Sequence, residues 1–166
     1  MNEDLGSDQY NKKSDPENTV QKITVLYALI TIYSWYNMVD WELSSLVNIN
    51  LIILPVTVLM LWRKWKIGWI LFSSFLMYLA ITELWTLILY LNLGSFGTSY
   101  IDKNYPQTSA PLLITFTLFY SATLWYLLKV DLRKLFGIDN RMAVVTLVVA
   151  SILTILFNLT FFQSFE

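Results

Sequence analysis

The sequence contains no cysteine and no histidine. Without cysteine the chain can form no disulfide, and its thiol content says nothing about the redox compartment in which it folds. Without histidine it lacks the commonest ligand for zinc, copper and haem iron, and the side chain that most often transfers protons near neutral pH. The zinc-protease, nucleophile-elbow, phosphate-binding-loop and CxxC motifs are also missing. We therefore expect no cofactor, no metal centre and no enzymatic activity.

Charged residues are also scarce, at 14% of the chain, whereas an average soluble domain has about 25%. They cluster in short islands that separate long apolar runs, and about 20 apolar residues are enough for a helix to cross a bilayer. A soluble helical protein would need polar stripes at every third or fourth residue, and these are missing. The net charge of −1 provides no basic footprint for nucleic acid. The sequence thus predicts an all-α, polytopic membrane helix bundle whose first partner is the lipid bilayer.

The order of polar and apolar segments predicts two regions. Residues 1–19 form a flexible polar tail, because they contain too little apolar surface to offset the entropy of ordering. Residues 20–166 form the membrane domain, with five spans predicted at about 20–39, 46–62, 67–93, 111–129 and 142–162.

Local signals predict several helix ends and bends. Ser14 or Asp15 should cap the first helix, with Pro16 in its first turn. Pro55 should kink the second helix within residues 51–55. Gly137 should end a short amphipathic stretch that lies at the membrane interface.

The distribution of Lys and Arg predicts the orientation. If five helices span and the N-terminus is cytoplasmic, ten of the 11 basic residues lie inside and only Lys103 lies outside. If the first helix does not span, the division becomes seven to four, so four spans remain the alternative. The frequent use of Asn, Ile and Leu hints at an AT-rich bacterial genome, which would place the protein in a bacterial inner membrane. Trp62, Trp65 and Trp69 flank the inner basic island and are expected in an interfacial belt.

Glu83 lies inside the third predicted span, where an acid costs roughly 2.5–3.5 kcal/mol at the helix centre and less toward the interface. Polar residues on other spans fall at a similar depth, namely Asn48, Asn50 and Asn158, and Thr86 shares a helix face with Glu83. This set is either a group of packing contacts or a site for a proton, a cation or a substrate. We favour packing, because one acid without a second carboxylate makes a poor ion pathway.

Two further features have competing interpretations. Asp40 and Glu42 could bind a divalent cation through oxygen ligands, but solvated turn residues are the more ordinary interpretation. In the fifth span, Thr146, Ala150 and Thr154 recur every four residues. Small residues at this spacing let helix backbones approach closely, so this face is predicted to pack against another helix or subunit.

Basic residues next to aromatic and aliphatic ones mark the cytoplasmic surface. They are Arg63, Lys64, Lys66, Arg133, Lys134 and Arg141. Such a surface either attracts anionic lipid, at about 1 kcal/mol per basic residue, or docks a cytoplasmic partner.

The function favoured by these patterns is that of a small non-enzymatic membrane protein that acts through a protein partner. It would be an accessory, regulatory or protective subunit, for example in immunity or defence. The alternative is a subunit of a channel or transporter, built as a homo-oligomer with its polar site around Glu83. An intramembrane enzyme is the least favoured class, because no nucleophile or metal ligand accompanies the acids.

Overall fold

A computed structural model describes residues 15–37, 49–93 and 110–163. Within these ranges the chain is helical and contains no strand. The helices are α1 (Pro16–Asn37), α2 (Ile49–Trp62), α3 (Lys66–Leu93), α4 (Ala110–Leu127), α5 (Val130–Leu135) and α6 (Asn140–Gln163).

Three of the described helices are long and apolar enough to cross a membrane. The qualifying segments are Lys66–Ile88 in α3, Ala110–Leu127 in α4 and Asn140–Thr160 in α6. The apolar part of α2, Ile52–Trp62, is shorter than a span. In α1, Glu17 and Lys22 interrupt a sequence that is also rich in Thr and Tyr. The described residues are therefore those of a helical membrane protein with three candidate spans, and the prediction of five spans is not confirmed.

Helix ends in the described ranges use the expected chemistry. The Asp15 carboxylate accepts a hydrogen bond from the backbone N–H of Glu17 (3.0 Å), and α1 begins at Pro16, which confirms the predicted cap. This start lies three residues before the predicted end of the tail at residue 19. Asp139 caps α6 in the same way, because its Oδ1 accepts the Met142 N–H at 2.7 Å.

Two helices end in the Schellman arrangement, with one residue in the left-handed region. After α5 this residue is Gly137 (φ 66°), and the Ile138 N–H reaches back to the Arg133 carbonyl at 3.0 Å. The predicted stop at Gly137 is thus confirmed. After α2 the left-handed residue is Lys64 (φ 55°), and the Trp65 N–H donates to the Met60 carbonyl at 3.1 Å.

The turn after α2 is tight enough to bring α2 and α3 into close contact. Gly68, in the first turn of α3, lies so near α2 that a Cβ there would approach the Met60 carbonyl carbon to 2.5 Å. α2 itself runs without interruption through Pro55, and the predicted kink there stays a prediction.

α3 is the central helix, because it packs against α2, α4 and α6, while α1 packs against α2 and α5. The indole N–H of Trp69, near the start of α3, donates to the Leu127 carbonyl at the end of α4 (3.2 Å). Glu17, at the start of α1, forms an ion pair with Lys64 in the α2–α3 turn. The starts of α1, α3 and α6, the ends of α2 and α4, and α5 therefore lie together, and we call this the basic end.

The hydrophobic core lies beneath the basic end. Its members come from every described helix, and they include Val20, Leu61, Trp69, Leu127, Leu132, Phe136 and Ala143. Burial of large apolar side chains against one another makes this half of the bundle the best-packed part of the described chain.

Candidate functional site

The basic end presents several cations on its surface. Arg63, Lys66, Lys134 and Arg141 are all exposed, although they come from three separate segments of the chain. Trp62 and Trp65 stand among them, with 60% and 50% of their surface exposed. Both indoles are thus exposed beside the basic residues, and their place in an interfacial belt stays a prediction.

The prediction that Trp69 also lies in an interfacial belt is wrong. Its side chain has 0% exposure, and its indole N–H is used within the bundle. The interfacial prediction for Trp69 rested on its position three residues after the basic island. However, α3 turns this residue inward, since a helix rotates by about 100° per residue.

Two of the six predicted basic residues differ from the rest. Arg133 is 8% exposed, and its Nε–H donates to the Leu128 carbonyl at 2.8 Å. It therefore anchors α5 onto the end of α4 instead of standing on the surface. Lys64 is half-buried and pairs with Glu17.

A recess opens beside this ion pair. It has a volume of about 230 Å³ and is lined by Glu17, Val20, Gln21, Thr24, Trp62 and Lys64. An indole, an amide and two opposite charges therefore surround one small cavity. Such a mixture suits a polar side chain or headgroup that enters from outside the bundle.

The predicted polar site around Glu83 is divided between two sides of α3. The amide of Asn158 donates to Thr82 Oγ1 at 3.3 Å and to the Thr154 carbonyl at 3.0 Å. Its partner on α3 is thus the residue before Glu83. Thr86 uses its hydroxyl within the helix, where it donates to the Thr82 carbonyl at 2.9 Å.

Glu83 faces α4. Its side chain lies near Tyr120 of that helix, and Glu83 is half-buried. Within the described part of the chain, this carboxylate makes no hydrogen bond and no ion pair. Asn48 lies outside the described residues. Asn50 belongs to α2, but its side chain is not among those described.

The small-residue face of α6 points into the bundle. Ala150 and Thr154 are 7% and 3% exposed, and Asn158 continues the same face at 4%. Thr146 is half-buried. Since α6 packs against α3 and Asn158 bonds to it, this face forms the α3–α6 contact. The candidate cation pair Asp40 and Glu42 lies outside the described residues.

Sequence reasoning missed the residue that joins α1 to α4. Tyr27 is 1% exposed, and its hydroxyl donates to Thr123 Oγ1 at 3.2 Å. Its ring meets Phe72 edge-on, with centroids 4.9 Å apart, and stacks on Phe119 at 5.7 Å. The tyrosines of α1 look alike in the sequence, and only the packing distinguishes Tyr27 from the exposed Tyr33.

Comparison with protein-family models, with curated proteins and with solved structures finds no match to this chain.

Proposed function

We propose that the protein is a five-span protein of the cell membrane, with a cytoplasmic N-terminus, that binds a partner protein through its basic end. In this proposal it is a non-catalytic accessory, regulatory or protective subunit of a bacterial inner membrane. The observation that carries the proposal is the gathering of Arg63, Lys66, Lys134 and Arg141 on one exposed surface above a packed core.

A rigid support favours binding of a protein over loose attraction to lipid. α5 is held by the buried Leu132 and by the bond from Arg133 to Leu128. The α2–α3 turn is held by its Schellman bonds. Side chains on such fixed elements lose less entropy when a partner binds, which favours affinity.

The chemistry of the surface also suits a protein interface. Arg and Trp are enriched in such interfaces and supply much of the binding energy. Trp62 lies at the edge of the 230 Å³ recess, beside the Glu17–Lys64 ion pair. An acidic patch on the partner would meet the exposed cations, and one of its polar side chains would enter the recess.

The five-span orientation is supported by the same arrangement. An antiparallel order of α1, α2, α3, α4 and α6 places all the described basic segments at one end, as the positive-inside rule requires of a cytoplasmic face. α1 and α2 would then cross the membrane as neighbours, since they pack against each other.

Affinity purification from host membranes tests the proposal with three matched samples. The test variant combines Arg63→Gln, Lys66→Gln and Lys134→Gln. The control combines Lys12→Gln, Lys13→Gln and Lys103→Gln, so both variants lose the same charge. We expect one stoichiometric partner with the wild type and the control, and its loss with the test variant. An identical set of bound proteins in all three samples would contradict the proposal.

The second candidate function is a conduction path beside Glu83. The observation that favours it is a half-buried carboxylate on the central helix α3 that makes no hydrogen bond within the described residues. A homo-oligomer would place several copies of this acid around a path. Proton or cation flux in proteoliposomes that disappears in Glu83→Gln, but persists in Thr86→Val, would establish this function. Absence of proton and cation flux in the wild type would exclude conduction as a function.

A further inference from the structure

A groove separates α1 from α4 on the outer surface of the bundle. It has a volume of about 290 Å³. α1 contributes Thr19, Lys22 and Ile23, and α4 contributes Phe119, Ala122 and Tyr126. Apart from the Lys22 ammonium and the hydroxyls of Thr19, Thr123 and Tyr126, this lining is apolar.

Tyr27 explains why the groove exists. Its large side chain bridges α1 and α4 through Thr123 and Phe119. Between Tyr27 and the start of α1 the side chains that face α4 are smaller, so the two helices leave a space. On α1 the space runs from Thr19, at the basic end, to Ile23, about 6 Å further along the helix axis, and Tyr27 follows one turn later.

The open end of the groove carries two cations. Lys22 lies in its wall and is exposed. Lys129 places its ammonium 4.1 Å from the centre of the Tyr126 ring, which lines the groove. Lysines at such a position extend their charged ends to the membrane interface while their stems cover apolar surface.

The described acids near this end, Asp15, Glu17 and Asp131, do not line the groove. The Asp15 carboxylate accepts the backbone N–H of Glu17. Glu17 pairs with Lys64 on the α2 side of α1. Asp131 follows Lys129 by two residues and is exposed on α5. The described lining therefore has a net positive charge at one end and a hydrocarbon-like surface along the rest.

We propose that this groove binds one anionic phospholipid. One acyl chain lies against Ile23, Phe119 and Ala122, and the phosphate of the headgroup lies between Lys22 and Lys129. A zwitterionic lipid carries a cationic group beside its phosphate, which the two lysines would repel, so a headgroup with a net negative charge is favoured. Anionic lipids are enriched in the cytoplasmic leaflet, where basic pockets between helices bind them. The site rests on α1 and α4 lying side by side in the membrane, as in the proposed five-span arrangement, but not on partner binding.

Native mass spectrometry of the purified protein, titrated with phosphatidylglycerol or phosphatidylcholine of matched chains, tests the site. We expect the wild type to bind one phosphatidylglycerol in preference to phosphatidylcholine. Lys22→Gln with Lys129→Gln should weaken phosphatidylglycerol binding by about 25-fold, or about fivefold per lysine. Lys134→Gln with Arg141→Gln removes the same charge outside the groove and should change this binding little.

A second variant tests the acyl-chain part of the groove. Ala122 is exposed, so Ala122→Phe should fill the groove without disturbing the core, and it should reduce binding of both lipids. Equal weakening by the two double variants, or unchanged binding in Ala122→Phe, would overturn the proposal. So would a loss of the partner protein in Ala122→Phe while lipid binding persists, because the groove would then be a protein contact. The lipid measurement is independent of the affinity purification. If no partner protein is recovered there, the expected lipid binding stays the same.

Discussion

At the scale of single residues, Tyr27 attaches α1 to the rest of the bundle. Its ring lies between Phe72 of α3 and Phe119 of α4. Its hydroxyl bonds to Thr123, which also donates to the Phe119 carbonyl at 3.0 Å. Loss of the Tyr27 hydroxyl therefore leaves Thr123 with a partner, whereas loss of the ring opens a cavity.

Tyr27→Phe should lower the free energy of unfolding by about 1 kcal/mol, as for one hydrogen bond. Tyr27→Ala should lower it by about 3–5 kcal/mol, as for other large-to-small core substitutions. Tyr33, 68% exposed on the same helix, provides the control, and Tyr33→Ala should have little effect. Thermal unfolding in detergent, monitored by size-exclusion chromatography, measures the difference in stability between the variants. Equal effects of Tyr27→Ala and Tyr33→Ala would mean that α1 does not pack as described.

Gly68 marks the closest approach of two helices. A methyl group there would meet backbone atoms of Met60 and Leu61 at 2.5–2.8 Å, so Gly68→Ala should destabilise the protein by about 1–3 kcal/mol through overpacking. Since the clash is with backbone, Met60→Ala should not restore stability in the double variant. The same unfolding assay measures both. Wild-type stability in Gly68→Ala would contradict the close α2–α3 contact.

At the scale of elements, helix ends were predictable, whereas helix faces were predictable only where small residues recur, as at Ala150 and Thr154 of α6. Asp15, Pro16 and Gly137 carry their signal in the residue type, because capping and left-handed backbone favour particular side chains. Each predicted span also has a described helix at nearly the same place.

Burial depended on tertiary packing that the sequence does not display. Trp69 and Arg133 belong to residue types common at interfaces, yet both are buried, because α3 and α5 turn them toward the end of α4. The asparagines of other spans were grouped with Glu83 on similar depth alone. Depth does not specify the direction of a side chain, and Asn158 bonds to Thr82 instead.

The end of α5 provides a prediction at this scale. Gly137 has φ 66°. A Cβ added there would have no atom of the described residues within 4 Å, apart from its own chain neighbours. The only penalty of Gly137→Ala is thus the left-handed backbone, about 1–2 kcal/mol. Gly137→Asn should cost less, because Asn adopts this conformation more readily. In thermal unfolding, the Gly137→Asn variant should be more stable than the Gly137→Ala variant. The reverse order would mean that α5 does not end in the described conformation.

At the scale of the whole molecule, we propose that the basic end lies on the cytoplasmic side of the membrane. The chain has no cysteine, so single cysteines can be introduced into an otherwise unreactive background. A membrane-impermeant maleimide should label Ser99→Cys in intact cells, and Asn140→Cys only after permeabilisation, because Asn140 begins α6 at the basic end. Labelling of Asn140→Cys in intact cells would show that the protein has the opposite orientation in the membrane.

Partner binding at the basic end is the central claim, and site-specific photo-crosslinking in living cells tests it most directly. A photoreactive amino acid at Trp65, 50% exposed on the basic end, is compared with one at Ile152, 53% exposed on α6. The proposal predicts one discrete protein adduct from position 65 and none of that mass from position 152. An adduct from position 152 alone, or no protein adduct from position 65, would contradict it.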